Sequence, residues 1–81
     1  MTDDLNIDLE LDLRGLLCPM PMVKVGQSIT DVPIGGVIRA VATDAGSMAD
    51  IPAWAGSTGH ELISASEEGD EYVFLVRRTH E

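Results

Sequence analysis

Hydrophobic and polar residues alternate strictly near the start of the chain. Ile7, Leu9, Leu11 and Leu13 are interleaved with Asp8, Glu10 and Asp12. A period of two predicts a half-buried strand with one wet face. Arg14-Gly15-Leu16-Leu17 follows, with Gly15 as the expected turn residue. The period then changes. Met22, Val25, Ile29 and Val32 recur at spacings of three or four, the apolar stripe of a helix expected over 19–31. Gly26 weakens that helix by about 1 kcal/mol relative to alanine. Pro33 and Gly35-Gly36 end the segment.

Val37 to Thr43 is apolar and β-branched around Arg39, the pattern of a more central second strand. Asp44 is a natural N-cap for a second helix over 45–55 that would bury Met48, Ile51 and Trp54. Pro52 leaves two readings open: a kink in that helix, or a helix that begins near Asp50. A loop is expected over 56–59, then two strands, Leu62 to Ser66 and Tyr72 to Arg78. The polar stretch Glu67-Glu68-Gly69-Asp70-Glu71 between them predicts an antiparallel hairpin. The order β-α-β-α-β-β is that of an α/β (α+β) two-layer sandwich. With two helices, the simplest arrangement packs both on one face of a four-stranded mixed sheet.

The chain has 81 residues, read as a single domain over 1–81 with a flexible acidic N-terminus over 1–6. At 44% hydrophobic, it is expected to fold by burial alone. The net charge of −9 argues against direct nucleic-acid binding and against an anionic membrane surface. Met1-Thr2-Asp3-Asp4 lacks the basic and apolar regions of a secretory signal, and no apolar run approaches a membrane span. A cytoplasmic monomer is expected.

There is one cysteine, Cys18, within Cys18-Pro19-Met20-Pro21. It cannot form an internal disulfide, and it suits a reducing compartment. With Pro19 at the first helical position, Cys18 becomes the cap residue, its sulfur beside the free N–H groups of the first turn. A helix end contributes about 0.3–1 kcal/mol, which lowers a thiol pKa by less than about one unit. The expectation is a partly ionised, accessible thiol. The plainer alternative is a small buried hydrophobe, a common fate of free cysteine. Arg14 and Lys24 are the nearby cations in sequence, and Met20 is a candidate for an adaptable apolar docking patch.

Asp12-Leu13-Arg14-Gly15-Leu16-Leu17-Cys18-Pro19-Met20-Pro21, with Lys24 shortly after, resembles the signature of the TusA-like (SirA-like) sulfur carrier family. The likeness runs on through Asp50-Ile51-Pro52 and His60-Glu61-Leu62 to Arg77. It implies two helices on a four-stranded mixed sheet, and a Cys18 that accepts sulfane sulfur as a transient persulfide and hands it to a partner thiol. The implied donors are cysteine desulfurases or rhodanese-type sulfurtransferases. The implied acceptors are DsrE-type or similar proteins, serving transfer RNA thiolation, molybdenum cofactor synthesis or sulfur oxidation. Two departures stand out. Met20 occupies a position where some members carry glutamate, and Trp54-Ala55-Gly56 lacks the second cysteine of some relatives. With no second thiol, Cys18 must release sulfur to a partner thiolate. The resemblance implies a persulfide relay rather than a stand-alone turnover enzyme, and no cofactor or metal is expected.

Other residues are read more plainly. His60 could serve as a general base, but a structural histidine at a strand edge is the expectation. His80 is expected to be frayed and inert, and Asp44 and Asp50 to be capping groups. Arg77 and Arg78 suit either docking to an acidic partner or a solvated strand end. The alternative to a carrier is a regulatory or docking module that uses the Cys-Pro-Met-Pro face without carrying sulfur.

Overall fold

A computed structural model describes residues 6–80. Of the acidic segment expected to be flexible, residues 1–5 lie outside the described residues. The elements are β1 (Leu9–Leu13), α1 (Met20–Ser28) with a short 3₁₀ turn after it (Ile29–Asp31), β2 (Val37–Ala42), α2 (Ser47–Thr58), β3 (Glu61–Glu68) and β4 (Glu71–Arg77). The sheet order is β1-β2-β4-β3. β1 runs parallel to β2, which pairs antiparallel with β4, and β4 pairs antiparallel with β3. This is the expected mixed sheet.

Alternation sorts the strand residues between two faces. Leu13 of β1, Ile38, Ala40 and Ala42 of β2, and Phe74 and Val76 of β4 share one buried face. Val25 and Ile29 from α1 and its following turn, with Ile51 from α2, close over it. Both helices therefore lie on one side. Phe74 is at the centre with none of its surface exposed. Its register partners are Ala40 on one side and Ala65 on the other, so a large ring is seated between two small residues. β3 reaches this register through a bulge between Leu62 and Ser64, which leaves Ile63 unmatched and brings Leu62 and Ala65 to the same face.

The hairpin joining β3 and β4 is tighter than its polar run suggested. Glu68 pairs with Glu71, leaving Gly69-Asp70 as a two-residue turn. Gly69 has φ 64°, and among the described residues no non-glycine residue has a positive φ, the glycine-first pattern of a II′ turn.

The second helix resolves the open question at Pro52. It starts at Ser47 and runs through the proline to Thr58, where Gly59 ends it in the left-handed region with φ 84°. Pro52 removes the bond to the Met48 carbonyl, but Ile51 and Ala55 are buried on either side of it. Packing offsets one missing bond. Residues 56–58, expected as loop, are the last turn of this helix. Met48, expected in the core, is 37% exposed. Gly26 is explained by the helix pair. A Cβ there would lie 3.3 Å from Trp54 Nε1, so the glycine lets α1 approach α2.

Candidate functional site

Cys18 and its neighbours gather at the carboxyl ends of β1 and β2, the two parallel strands. This is where open α/β sheets place ligand sites, because the loops leaving neighbouring parallel strands converge there. The loop after β1 is tied to the end of β2 by the Gly15 N–H, which donates to Thr43 Oγ1 at 2.9 Å. Gly15 itself turns with φ 84°. The Cys18 N–H then donates to Asp44 Oδ2 at 2.6 Å. The Cys18 thiol donates to Asp50 Oδ2. The Cys18–Pro19 peptide is cis.

Gly46 completes the setting. A Cβ at this position would fall 3.0 Å from Cys18 Cβ, 3.2 Å from Asp44 Oδ2 and 3.3 Å from Cys18 Sγ. Its φ of −60° is one any residue can adopt, so glycine is needed here for closeness, not for conformation. The cysteine side chain remains exposed, which removes the reading of Cys18 as a buried hydrophobe.

The charge state differs from the sequence expectation. The hydrogen bond to Asp50 pushes the Cys18 thiol above its ordinary range, helped by desolvation and by the charges of Asp50 and Asp44. The helix end does not reverse this, and the hydrogen bonds show why. Pro19 is the N-cap and Met20 the first helical residue, so Cys18 lies one position before the cap rather than on it. The Met20 N–H donates to Leu17 O at 2.8 Å, the Val23 N–H donates to Pro19 O at 3.1 Å, and Pro21 has no N–H. Few donors of that turn are left for a thiolate, while a full carboxylate charge touches the sulfur.

Asp44 and Asp50 are the site residues that reading by local pattern misses. Asp44 does not cap α2; Gly46 is the N-cap, without a side-chain hydrogen bond. Both carboxylates are drawn instead to Cys18, 26 and 32 residues away in sequence. The sequence signal for Asp50 was its place in the Asp50-Ile51-Pro52 stretch.

The other candidates are distributed elsewhere. Arg14 folds back on Asp12, with Nε 2.8 Å from Oδ1, and lies 3.5 Å from Glu71. The Arg14–Asp12 hydrogen bond holds the Asp12 carboxyl at about 2 and raises the Arg14 guanidinium. Lys24 is exposed and in no ion pair among the described residues. Leu17 and Met20, flanking Cys18, are 73% and 41% exposed. Met48, in the same first turn of α2 as Asp50, is a further exposed apolar side chain.

His60 follows the far end of α2. Its ring stacks on Trp54 at 5.6 Å and on His80 at 4.4 Å. Its Nδ1 accepts the Thr79 N–H at 3.2 Å. His80 is not a frayed end: its Nε2 lies 2.6 Å from the Thr58 carbonyl. Neither histidine joins the thiol. Arg77 pairs with Glu61 at 3.0 Å, and Arg78 donates to the carbonyls of Val32 and His80. Among the described residues no group of three acidic, histidine or cysteine side chains could hold a metal.

Two solved structures share this architecture. A SirA-like protein from Desulfitobacterium hafniense superposes with TM-score 0.76 at 15% identity, over 89% of this chain and 99% of its own. A Helicobacter pylori protein solved in solution superposes with TM-score 0.72 at 21% identity, over 88% and 97%. At these identities the likeness is one of fold.

The family model described as Sulfurtransferase TusA matches residues 9–78, and the chain belongs to the TusA family. Relatives named Sulfur carrier protein TusA include one from Pseudomonas syringae pv. syringae, 36% identical over 76 residues (94% of this chain, 90% of the relative). Another, from Allochromatium vinosum, is 38% identical over 74 residues (91% and 97%). A candidate sulfur carrier from Halobacterium salinarum is 44% identical over 80 residues (98% and 99%).

Proposed function

We propose that this protein is a sulfur carrier that takes sulfane sulfur onto Cys18 as a persulfide and hands it to a partner protein thiol. The observation that carries the reading is the chain's one thiol, exposed at the carboxyl ends of the parallel strands and fixed there by Asp44 and Asp50. The names of the relatives point the same way and leave the docking module without support.

In loading, Cys18 Sγ attacks the outer sulfur of a donor persulfide. The new Sγ–S bond forms, the donor S–S bond breaks, and its electron pair leaves on the donor sulfur, which takes up the proton Cys18 gives up. Cys18–SH and R–S–SH become Cys18–S–SH and R–SH. In unloading, an acceptor thiolate attacks the outer sulfur and Cys18 departs as the leaving thiolate. The transferred sulfur keeps its oxidation level throughout. The donor is a cysteine desulfurase or rhodanese-type protein and the acceptor a DsrE-type or similar protein. Sulfur-to-sulfur transfer brings either partner up to the exposed Leu17 and Met20 that flank Cys18 in the chain. An adaptable methionine, Met20, suits a surface that meets more than one partner. The protein works in the cytoplasm as a monomer; among the described residues no helix is long and apolar enough to cross a membrane.

Intact-mass spectrometry after incubation with a cysteine desulfurase and cysteine tests the reading. A gain of about 32 Da, lost on reduction and absent in Cys18→Ser, is expected for one added sulfur. A wild type that stays unmodified while Cys18 alkylates normally would overturn it.

A further inference from the structure

Asp50 lies in the first turn of α2, and its carboxylate accepts the hydrogen bond from the reacting sulfur. Asp44, on the loop after β2, is bound to the Cys18 amide rather than to the sulfur. No cation of the described residues offsets either carboxylate. Arg14, Arg39 and Arg77 are paired with Asp12, Glu10 and Glu61, Arg78 is bound to carbonyls, and Lys24 is in no ion pair. The stacked histidines sit at the other end of α2. The sulfur thus faces two carboxylates and no counter-charge, in a chain of net charge −9.

We propose that Asp50 determines the donor class of this site: by accepting the Sγ–H bond it keeps the idle Cys18 as a neutral thiol, and with Asp44 it disfavours free anionic sulfane compounds such as inorganic polysulfide, leaving protein-bound persulfide as the substrate. The inference rests on the carrier reading above. A neutral thiol is the weakly nucleophilic form of cysteine, and like charges facing a small anion slow its approach. A protein donor escapes both restraints, because a docked surface excludes water, holds its sulfur against Sγ and brings its own charges to Asp50. The covalent step is unchanged. With polysulfide as donor, Cys18 Sγ bonds to a sulfane sulfur, the polysulfide S–S bond breaks with its electron pair leaving on the shortened chain, and the Cys18 proton goes to that fragment or to water.

Asp50→Asn tests this in the full chain, with Asp50→Ala as a second variant that removes the carboxylate without supplying an amide. Iodoacetamide alkylation of Cys18 across pH is measured first, since it needs no sulfur donor. In both variants the profile is expected to move to lower pH, with alkylation at pH 7 at least about threefold faster, because each unit of thiol pKa changes the thiolate fraction about tenfold. Loading from inorganic polysulfide at low salt is expected to rise by a similar factor, and added salt to speed the wild type more than the variants. Loading from a cysteine desulfurase should change less than loading from polysulfide. Folded variants that alkylate and load from polysulfide at wild-type rates would overturn the role of Asp50. A wild type that never accepts sulfur from a protein donor would instead overturn the carrier reading, even where the alkylation profile of the variants moves as expected.

Discussion

Replacing Gly46 with alanine adds one methyl group at the point where α2 meets the thiol loop, and two opposing effects can be weighed there. The backbone at Gly46 (φ −60°, ψ −23°) suits alanine. A Gly→Ala change at a compatible position stabilises by about 0.4–1 kcal/mol through the unfolded chain. Against this, the new Cβ lies 3.0 Å from Cys18 Cβ, 3.2 Å from Asp44 Oδ2 and 3.3 Å from Cys18 Sγ. Overpacking of this kind costs about 1–3 kcal/mol. The lower half of that range applies, since Cys18 is exposed and can move. The net is a loss of about 0–1.5 kcal/mol, a fall in Tm of up to roughly 10 °C for a domain of this size. The more telling effect is on the sulfur. Cys18 can give way only by leaving the position in which it meets Asp50, so its thiol should titrate at lower pH than in the wild type. Thermal denaturation followed by circular dichroism gives the first quantity and the pH dependence of iodoacetamide alkylation gives the second. A Gly46→Ala protein with a raised Tm and an unchanged alkylation profile would refute the reasoning, since the two loops would then not press on each other as described.

Two further outcomes follow from the core and from the histidine stack. Phe74→Ala leaves a cavity between Ala40 and Ala65, neither of which can fill it. The loss should be about 3–5 kcal/mol, a large part of the stability of a small domain, read as a lower midpoint in urea denaturation. His60 is held below the ordinary histidine value by burial, then by the neighbouring His80 and Arg78. Its Nδ1 must be unprotonated to accept the Thr79 N–H. A depressed folded-state value means the unfolded chain takes up the proton first. The His60 contribution is therefore fully present above about pH 6.5 and is lost as pH falls below it. Tm should drop between pH 7 and pH 5 by more in the wild type than in His60→Gln, and equal drops would contradict this role.

Much of the fold was legible because its signals are local. Leu9, Leu11 and Leu13 alternate with charged residues, the α1 stripe recurs every three or four positions, and Gly69-Asp70 marks a hairpin. Each is a property of a few consecutive residues. Pro52 was not decidable, because a lost backbone bond at one residue has to be weighed against the burial of Ile51 and Ala55, which local pattern does not reveal. The sheet order was hidden for the same reason: β2 pairs with β4, so Val37 faces Arg77 across the length of two other elements. The site divides likewise. Cys18 was conspicuous as the one thiol, set immediately before the Pro19-Met20-Pro21 run. Its protonation state was not, because it depends on a carboxylate brought in from another helix, and reasoning from the nearest helix end alone led to the opposite direction of shift.

The position of β4 also bears on how the chain acquires its shape during synthesis. The strand made last of the four is an interior one, flanked by β2 and β3. The chain from β1 to α2, which includes the sulfur and its two carboxylates, leaves the ribosome earlier, but the buried sheet face lacks Phe74 and Val76 until β4 follows. At about 5–20 residues per second that delay is on the order of seconds. During it a nascent chain would expose an apolar sheet face. Ile51 of α2 shares its core with Phe74 and Val76, so the helix that carries Asp50 gains its full packing only when the sheet is complete.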